Sequence, residues 1–142
     1  MTVQTNNKEL NQIVEDVTGG ANGVALWRRH AIVRNVIFTD LFTELIEKIN
    51  CKWVLDDVAI FFTRKAVEGL NVVSVDAKNG KADIIMYRDY DSKISKTENY
   101  KEYGIYKKHY TYTDLPNGEM KFYLYNETDI DGTYKLFFPS EY

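Results

Sequence analysis

Residues 70–88 read LNVVSVDAKNGKADIIMYR, and this stretch decides the fold. Apolar and polar side chains alternate from Leu70 to Ala77 and again from Ala82 to Arg88, the pattern of two half-buried strands. Between them stands Lys78-Asn79-Gly80-Lys81. Asn-Gly accepts the positive φ angles of a type I′ turn, so the two strands form a hairpin. The turn fixes the register. Val73, Val75 and Ala77 share one face with Ala82, Ile84 and Met86, and Asp76 falls opposite Asp83. Two facing carboxylates repel, so that end of the hairpin must be well solvated.

Further strands follow the hairpin: Ile105 to Thr113, Met120 to Tyr125 and Tyr134 to Phe138, with turns at Leu115-Pro116-Asn117-Gly118 and Asp131-Gly132. Before the hairpin the apolar period is helical. Asn6 followed by Glu9 has the spacing of a capping box, Leu10, Ile13, Val14 and Val17 share a face, and Gly19-Gly20 is the stop. Thr39 is placed to cap a second helix carrying Leu41, Phe42, Leu45, Ile46 and Ile49, with Asp40 in its first turn and Asn50 at its end. Trp53, Val54, Val58, Phe61 and Phe62 fit a third helix, although residues 53–66 would also suit a buried strand. Residues 21–38 read as an irregular or helical segment leading to a short extended piece at Val36-Ile37-Phe38.

Helices followed by strands predict an α+β domain, with N-terminal helices packed on a C-terminal antiparallel sheet of about five strands. Residues 1–6 are expected to be a disordered tail, residues 7–142 a single domain, and residues 89–102 a long polar loop. A chain of 142 residues is long enough to bury a core without disulfides or a metal.

A net charge of −3 argues against a dedicated duplex-binding protein, and nucleic acid is not the expected partner. With one cysteine, Cys51, no internal disulfide can form, and a cytoplasmic location is the expectation. The polar start and the lack of a long apolar run give no sign of a membrane segment. Conventional catalytic motifs are missing: there is no phosphate loop, no His-Glu-x-x-His and no nucleophile elbow. Two histidines and one cysteine give little with which to hold a metal, and neither metal nor cofactor is expected. Asp129-Ile130-Asp131-Gly132 echoes a calcium loop but reads as a hairpin turn.

Two polar groupings remain. The first is Arg28, Arg29, His30, Asp40, Asp56 and Asp57. A carboxylate inside an apolar helix needs a partner, so one of Asp56 and Asp57, Asp56 in preference, is expected to be largely buried and paired with Arg28, Arg29 or His30. If instead these groups line a pocket, His30, Asp40 and Asp56 are the candidates for acid–base work. The second is the basic-aromatic run Lys107 to Tyr112. Alternation puts Lys108, Tyr110 and Tyr112 on one face, where they could stack a single-stranded nucleic acid, and Lys107, His109 and Thr111 on the other.

Several ordered strings carry a resemblance. They are His30 after a basic-aromatic run, Phe38-Thr39-Asp40, Trp53-Val54-Leu55-Asp56, Tyr112-Thr113-Asp114-Leu115-Pro116 and Pro139-Ser140-Glu141-Tyr142. From about Val17 onward the chain resembles an uncharacterised domain family of unknown function found in bacterial genomes and mobile elements. It departs from that family by Asp57 beside Asp56 and by the charged loop at 89–102. The resemblance implies no activity. With eleven tyrosines offering contact surface, the expected function is a non-enzymatic binding or interaction module, a regulator or inhibitor from a phage or mobile element. Its partner is a protein or a small ligand. The alternatives are a small enzyme using His30 and Asp56, and a single-stranded nucleic-acid binder. The run Tyr134 to Phe138 is apolar on both faces, which places it inside a sheet or under another chain, and a homodimer is expected from it.

Overall fold

The computed structural model describes residues 8–19, 26–88, 101 and 103–141. The tail at 1–6 and most of the loop at 89–102 lie outside these residues. In chain order the elements are α1 (Leu10–Thr18), β1 (Trp27–Arg29), β2 (Val36–Thr39), α2 (Asp40–Ile49) and α3 (Lys52–Asp57). A π-helical turn, Val58–Phe62, continues α3. Then come β3 (Gly69–Lys78), β4 (Lys81–Tyr87), β5 (Gly104–Tyr110), β6 (Gly118–Glu127), β7 (Thr133–Phe137) and a 3-10 turn at Pro139–Glu141.

The hairpin forms as its sequence dictates. Asn79 and Gly80 have φ of 53° and 79°, and Val73 pairs with Met86, Val75 with Ile84, Asp76 with Asp83 and Ala77 with Ala82. The facing carboxylates are relieved by the next strand, where His109, paired with Asp83, brings Nδ1 to 2.6 Å from Asp83 Oδ1.

The sheet has seven strands in the order β1-β2-β7-β6-β3-β4-β5, two more than the roughly five expected. Both extra strands come from the first half of the chain. Residues 27–29 pair antiparallel with β2, so this segment is extended rather than irregular or helical. A three-residue strand with two arginines has no alternation to read. The β2 strand pairs parallel with β7, Val36 against Tyr134, so the sheet is not wholly antiparallel. The partner of Val36 lies about a hundred residues away in sequence, and local periodicity carries no trace of it.

Helical packing explains the buried face. Val73, Val75, Ile84, Met86, Phe122, Leu124 and Leu136 share one core with Leu10, Ile13, Leu45, Val54, Val58 and Phe62 from the helices. Phe42 of α2 stacks on Phe138 with centroids 4.3 Å apart and meets Phe122 edge-on at 5.0 Å. Helix α1 presses closely on the start of β6. Leu10 N–H donates to the Asn117 carbonyl at 2.7 Å, and a Cβ on Gly118 would stand 2.8 Å from that nitrogen, so only glycine fits.

Several helix boundaries follow the sequence, with different bonding. Thr39 occupies the N-cap of α2, yet its hydroxyl donates to buried Glu141 Oε1 at 2.8 Å instead of capping the helix. Asn50 ends α2 in the left-handed region, φ 53°. The N-cap of α1 is Glu9, which makes no side-chain cap, and Asn6 lies outside the described residues. Gly19 follows α1 in a right-handed conformation, φ −62°, so it does not supply a left-handed stop. Residues 52–62 are helical throughout, which resolves the helix-or-strand alternative. The π turn is closed by Thr63 N–H donating to the Val58 carbonyl at 3.2 Å. Strand β7 lies between β2 and β6, so its two apolar faces are those of an interior strand and need no second chain.

Candidate functional site

Helix α3 brings the two polar groupings together. Consecutive helix positions point about 100° apart, so Asp56 and Asp57 serve different neighbours. Four residues before Asp56 stands Lys52; four before and four after Asp57 stand Trp53 and Phe61. One stripe therefore turns toward the β1–β2 loop and the other toward β5.

On the first stripe, His30 is buried at 4% exposure, and its Nε2 lies 2.8 Å from Asp56 Oδ1. Its Nδ1 accepts the backbone N–H groups of Ile32 at 3.2 Å and Val33 at 3.0 Å. Those two donors fix the tautomer: the ring proton is on Nε2 and is donated to Asp56. Lys52 closes the far side of the carboxylate, with Nζ 2.8 Å from Oδ2 and 3.1 Å from Oδ1. Burial raises the Asp56 carboxyl, but the hydrogen bonds from Lys52 and His30 outweigh it and hold the group below its ordinary range. The expected pairing of Asp56 with His30 is present. The expected deep burial is not, because Asp56 is 28% exposed and the histidine is the buried partner.

A general base needs a lone pair aimed at substrate, and the one on His30 is taken by two loop amides. His30 instead ties the β1–β2 loop to α3. Arg28 and Asp40 do not join it. Arg28 donates from Nε to Asp40 Oδ1 at 2.8 Å, an exposed pair at the start of α2. Arg29 donates to the Arg34 carbonyl.

The second stripe meets β5. Tyr110 O–H donates to Asp57 Oδ2 at 2.6 Å, and Lys108 Nζ lies 3.3 Å from the same oxygen. The Lys108 ammonium sits 3.7 Å above the centroid of Phe61 and 5.4 Å from that of Tyr110. Trp53 packs on Tyr110 with centroids 4.7 Å apart. Burial, followed by the hydrogen bond and charge of Asp57, raises the Tyr110 hydroxyl well above its normal range, so it stays a donor. The alternation expected for this strand holds as far as its end: Lys108 and Tyr110 pair with Ile84 and Ala82 of the core face. Tyr112 lies beyond the strand, 79% exposed, with its hydroxyl donating to Asp114 Oδ1 at 3.2 Å. The three residues expected to form a stacking platform are thus divided.

Sequence reasoning missed three participants. Lys52 was signalled by its four-residue spacing to Asp56. Trp53 and Phe61 read as core residues, and only the fold shows that Phe61 lies under Lys108 and that Trp53 packs on Tyr110. Elsewhere, burial pushes the Cys51 thiol up to about 12, which keeps it protonated and unreactive. In the 129–132 turn, Asp131 Oδ2 accepts from Lys135 at 2.6 Å and Oδ1 from the Thr133 amide at 3.0 Å, as a hairpin turn would arrange them. Among the described residues no three His, Cys, Asp or Glu side chains come together to hold a metal, and no helix is long and apolar enough to cross a membrane. A concavity of about 670 Å³ between α1 and β6 is lined by none of the candidate residues.

The fold and these polar clusters define a mixed α+β domain in which His30 ties the β1–β2 loop to α3. The chain belongs to a family of unknown function, DUF6876, whose model matches residues 9–142. No curated protein and no solved structure matches it.

Proposed function

We propose that this protein is a non-enzymatic binding module that takes an acidic, partly apolar segment of a protein partner at the β1 corner of its sheet. The observation that carries this reading is the surface there. Leu26, Trp27 and Ile32 are 52%, 38% and 75% exposed, and they stand among Arg28, Arg29 and Arg34. Trp and Arg are the residue types that dominate interface energetics. Arg29 and Arg34 add positive charge beside the Arg28–Asp40 pair on a chain of net charge −3, which makes this corner complementary to acid. The hydrogen bonds Asp40 N–H to Leu26 O (3.1 Å) and His30 N–H to Val36 O (2.8 Å) set the phase of the β1–β2 ladder. Trp27 and Arg29 therefore turn their backbone groups outward, where a partner strand can add.

The occupied ring nitrogens of His30 weigh against an enzyme, and the divided strand 107–112 weighs against a nucleic-acid surface. An inhibitor or regulator from a phage or mobile element needs no more than such a corner.

The test is capture of partners from a host lysate by the parent and by a Trp27→Ala, Arg29→Glu variant, followed by exchange mapping of the recovered complex. Loss of one partner from the variant is expected, with protection at residues 26–34 and an acidic segment protected on the partner. Equal recovery by the variant, or protection confined to another face, would overturn the reading.

A further inference from the structure

At the opposite edge of the sheet from β1, the α3–β5 cluster holds an ammonium group in a manner that suits a ligand better than a lysine. Three observations build the argument. First, the cation of Lys108 rests on a ring face, 3.7 Å from the centroid of Phe61, with Tyr110 at 5.4 Å. Second, its carboxylate contact is long. At 3.3 Å it exceeds an ordinary charge-assisted hydrogen bond, whereas Tyr110 O–H lies 2.6 Å from the same oxygen. The cation is therefore held by π faces and through-space charge, and little by donated hydrogen bonds. Third, the holder is braced from within the protein and the occupant is a long side chain. Asp57 accepts from Tyr110, Tyr110 is packed by Trp53, and Phe61 lies in the π turn, whereas Lys108 reaches in from β5 and is one-third exposed.

From this geometry we infer that Asp57, Phe61 and Tyr110, the last braced by Trp53, form a site for a methylated alkylammonium group, which Lys108 occupies in the resting protein. A primary ammonium in this position, one-third exposed, gives up some of the hydrogen bonds that bulk water would give it. A methylated ammonium has few or none to lose, and it presents a larger, weakly hydrated cationic surface to the rings. Lys108, tethered beside the site, competes at high effective concentration, so the parent binds weakly and removal of the arm uncovers the site. The inference is independent of the β1 corner and shares no residue with it.

The test is titration of the intact protein and of Lys108→Ala with tetramethylammonium and with a trimethyl-lysine peptide, by calorimetry and by Trp53 indole resonances. Lys108→Ala is expected to bind tetramethylammonium at least tenfold more tightly than the parent, and adding Phe61→Ala or Asp57→Asn should remove the gain. A peptide at least tenfold tighter than the free cation would identify a modified protein as the source; equal affinities would identify a small amine. In the parent, saturating tetramethylammonium should shift the Lys108 Cε resonance selectively, a readout that stands even if Lys108→Ala fails to fold. No selective shift in the parent, or binding by Lys108→Ala that survives Phe61→Ala, would overturn the inference.

Discussion

Replacing His30 by alanine removes one side chain and breaks three hydrogen bonds: Nε2–H to Asp56, and the Ile32 and Val33 amides to Nδ1. Losing a hydrogen bond to an ionised group costs about 1.5–3 kcal/mol, and a buried amide left without an acceptor about 1–3 kcal/mol. Ala31 and Ile32 are exposed, so water reaches this loop and the amides contribute at the low end. A loss of about 3–4 kcal/mol is expected, a large part of a typical domain's stability. Two further variants divide it. In His30→Asn the side-chain oxygen can take the place of Nδ1 and keep the loop amides bonded while abandoning Asp56. In His30→Gln the terminal amide can reach Asp56 and abandon the loop. Each should retain part of the stability that alanine loses. The assay is equilibrium urea unfolding, read as midpoints at constant slope. An alanine variant within about 1 kcal/mol of the parent, or Asn and Gln variants no better than Ala, would refute the structural role given to His30.

Two other expectations concern the hairpin and acid. Gly80→Val forces a β-branched residue to φ 79° and should cost about 1–2 kcal/mol or more, seen as a lowered melting temperature; an unchanged one would mean that the turn geometry is wrong. Asp56 has its carboxyl lowered from 3.8 in the folded state, so the unfolded chain takes up the proton first as pH falls. Its contribution is complete above the ordinary carboxylate range and is lost as pH drops below 3.8 through the folded value. Asp56→Asn should therefore flatten the decline of the urea midpoint at acid pH, and an acid slope equal to the parent's would count against the Lys52–Asp56–His30 arrangement.

What could be read from sequence is what is local. The β3–β4 register, down to Asp76 opposite Asp83, follows from Asn79-Gly80 and a period of two. The boundaries of α2 follow from Thr39 and Asn50. The pairing of Asp56 follows from the cost of placing a carboxylate on an apolar helix, although its partner was one of three open choices. What escaped depends on distant chain meeting distant chain. Strand β1 has three residues and little hydrophobic pattern, β2 finds β7 only through the completed sheet, and Glu141 reaches Thr39 from the far end of the sequence. The joining of the two polar groupings is of this kind too. Asp56 and Asp57 are visible as neighbours, but that one faces His30 and the other Tyr110 is decided by what packs on either side of α3.

The parallel pairing of β2 with β7 also orders events during synthesis. As the chain leaves the ribosome, Val36–Thr39 emerges about a hundred residues before the strand it must lie beside, Thr133–Phe137. The β3–β4 hairpin can close on its own in the meantime, because its contacts are local. Val36 and Phe38, both buried in the finished sheet, have no seat until then. Meanwhile they are an apolar segment in water, and a nascent chain stalled before residue 133 should present that segment to chaperones.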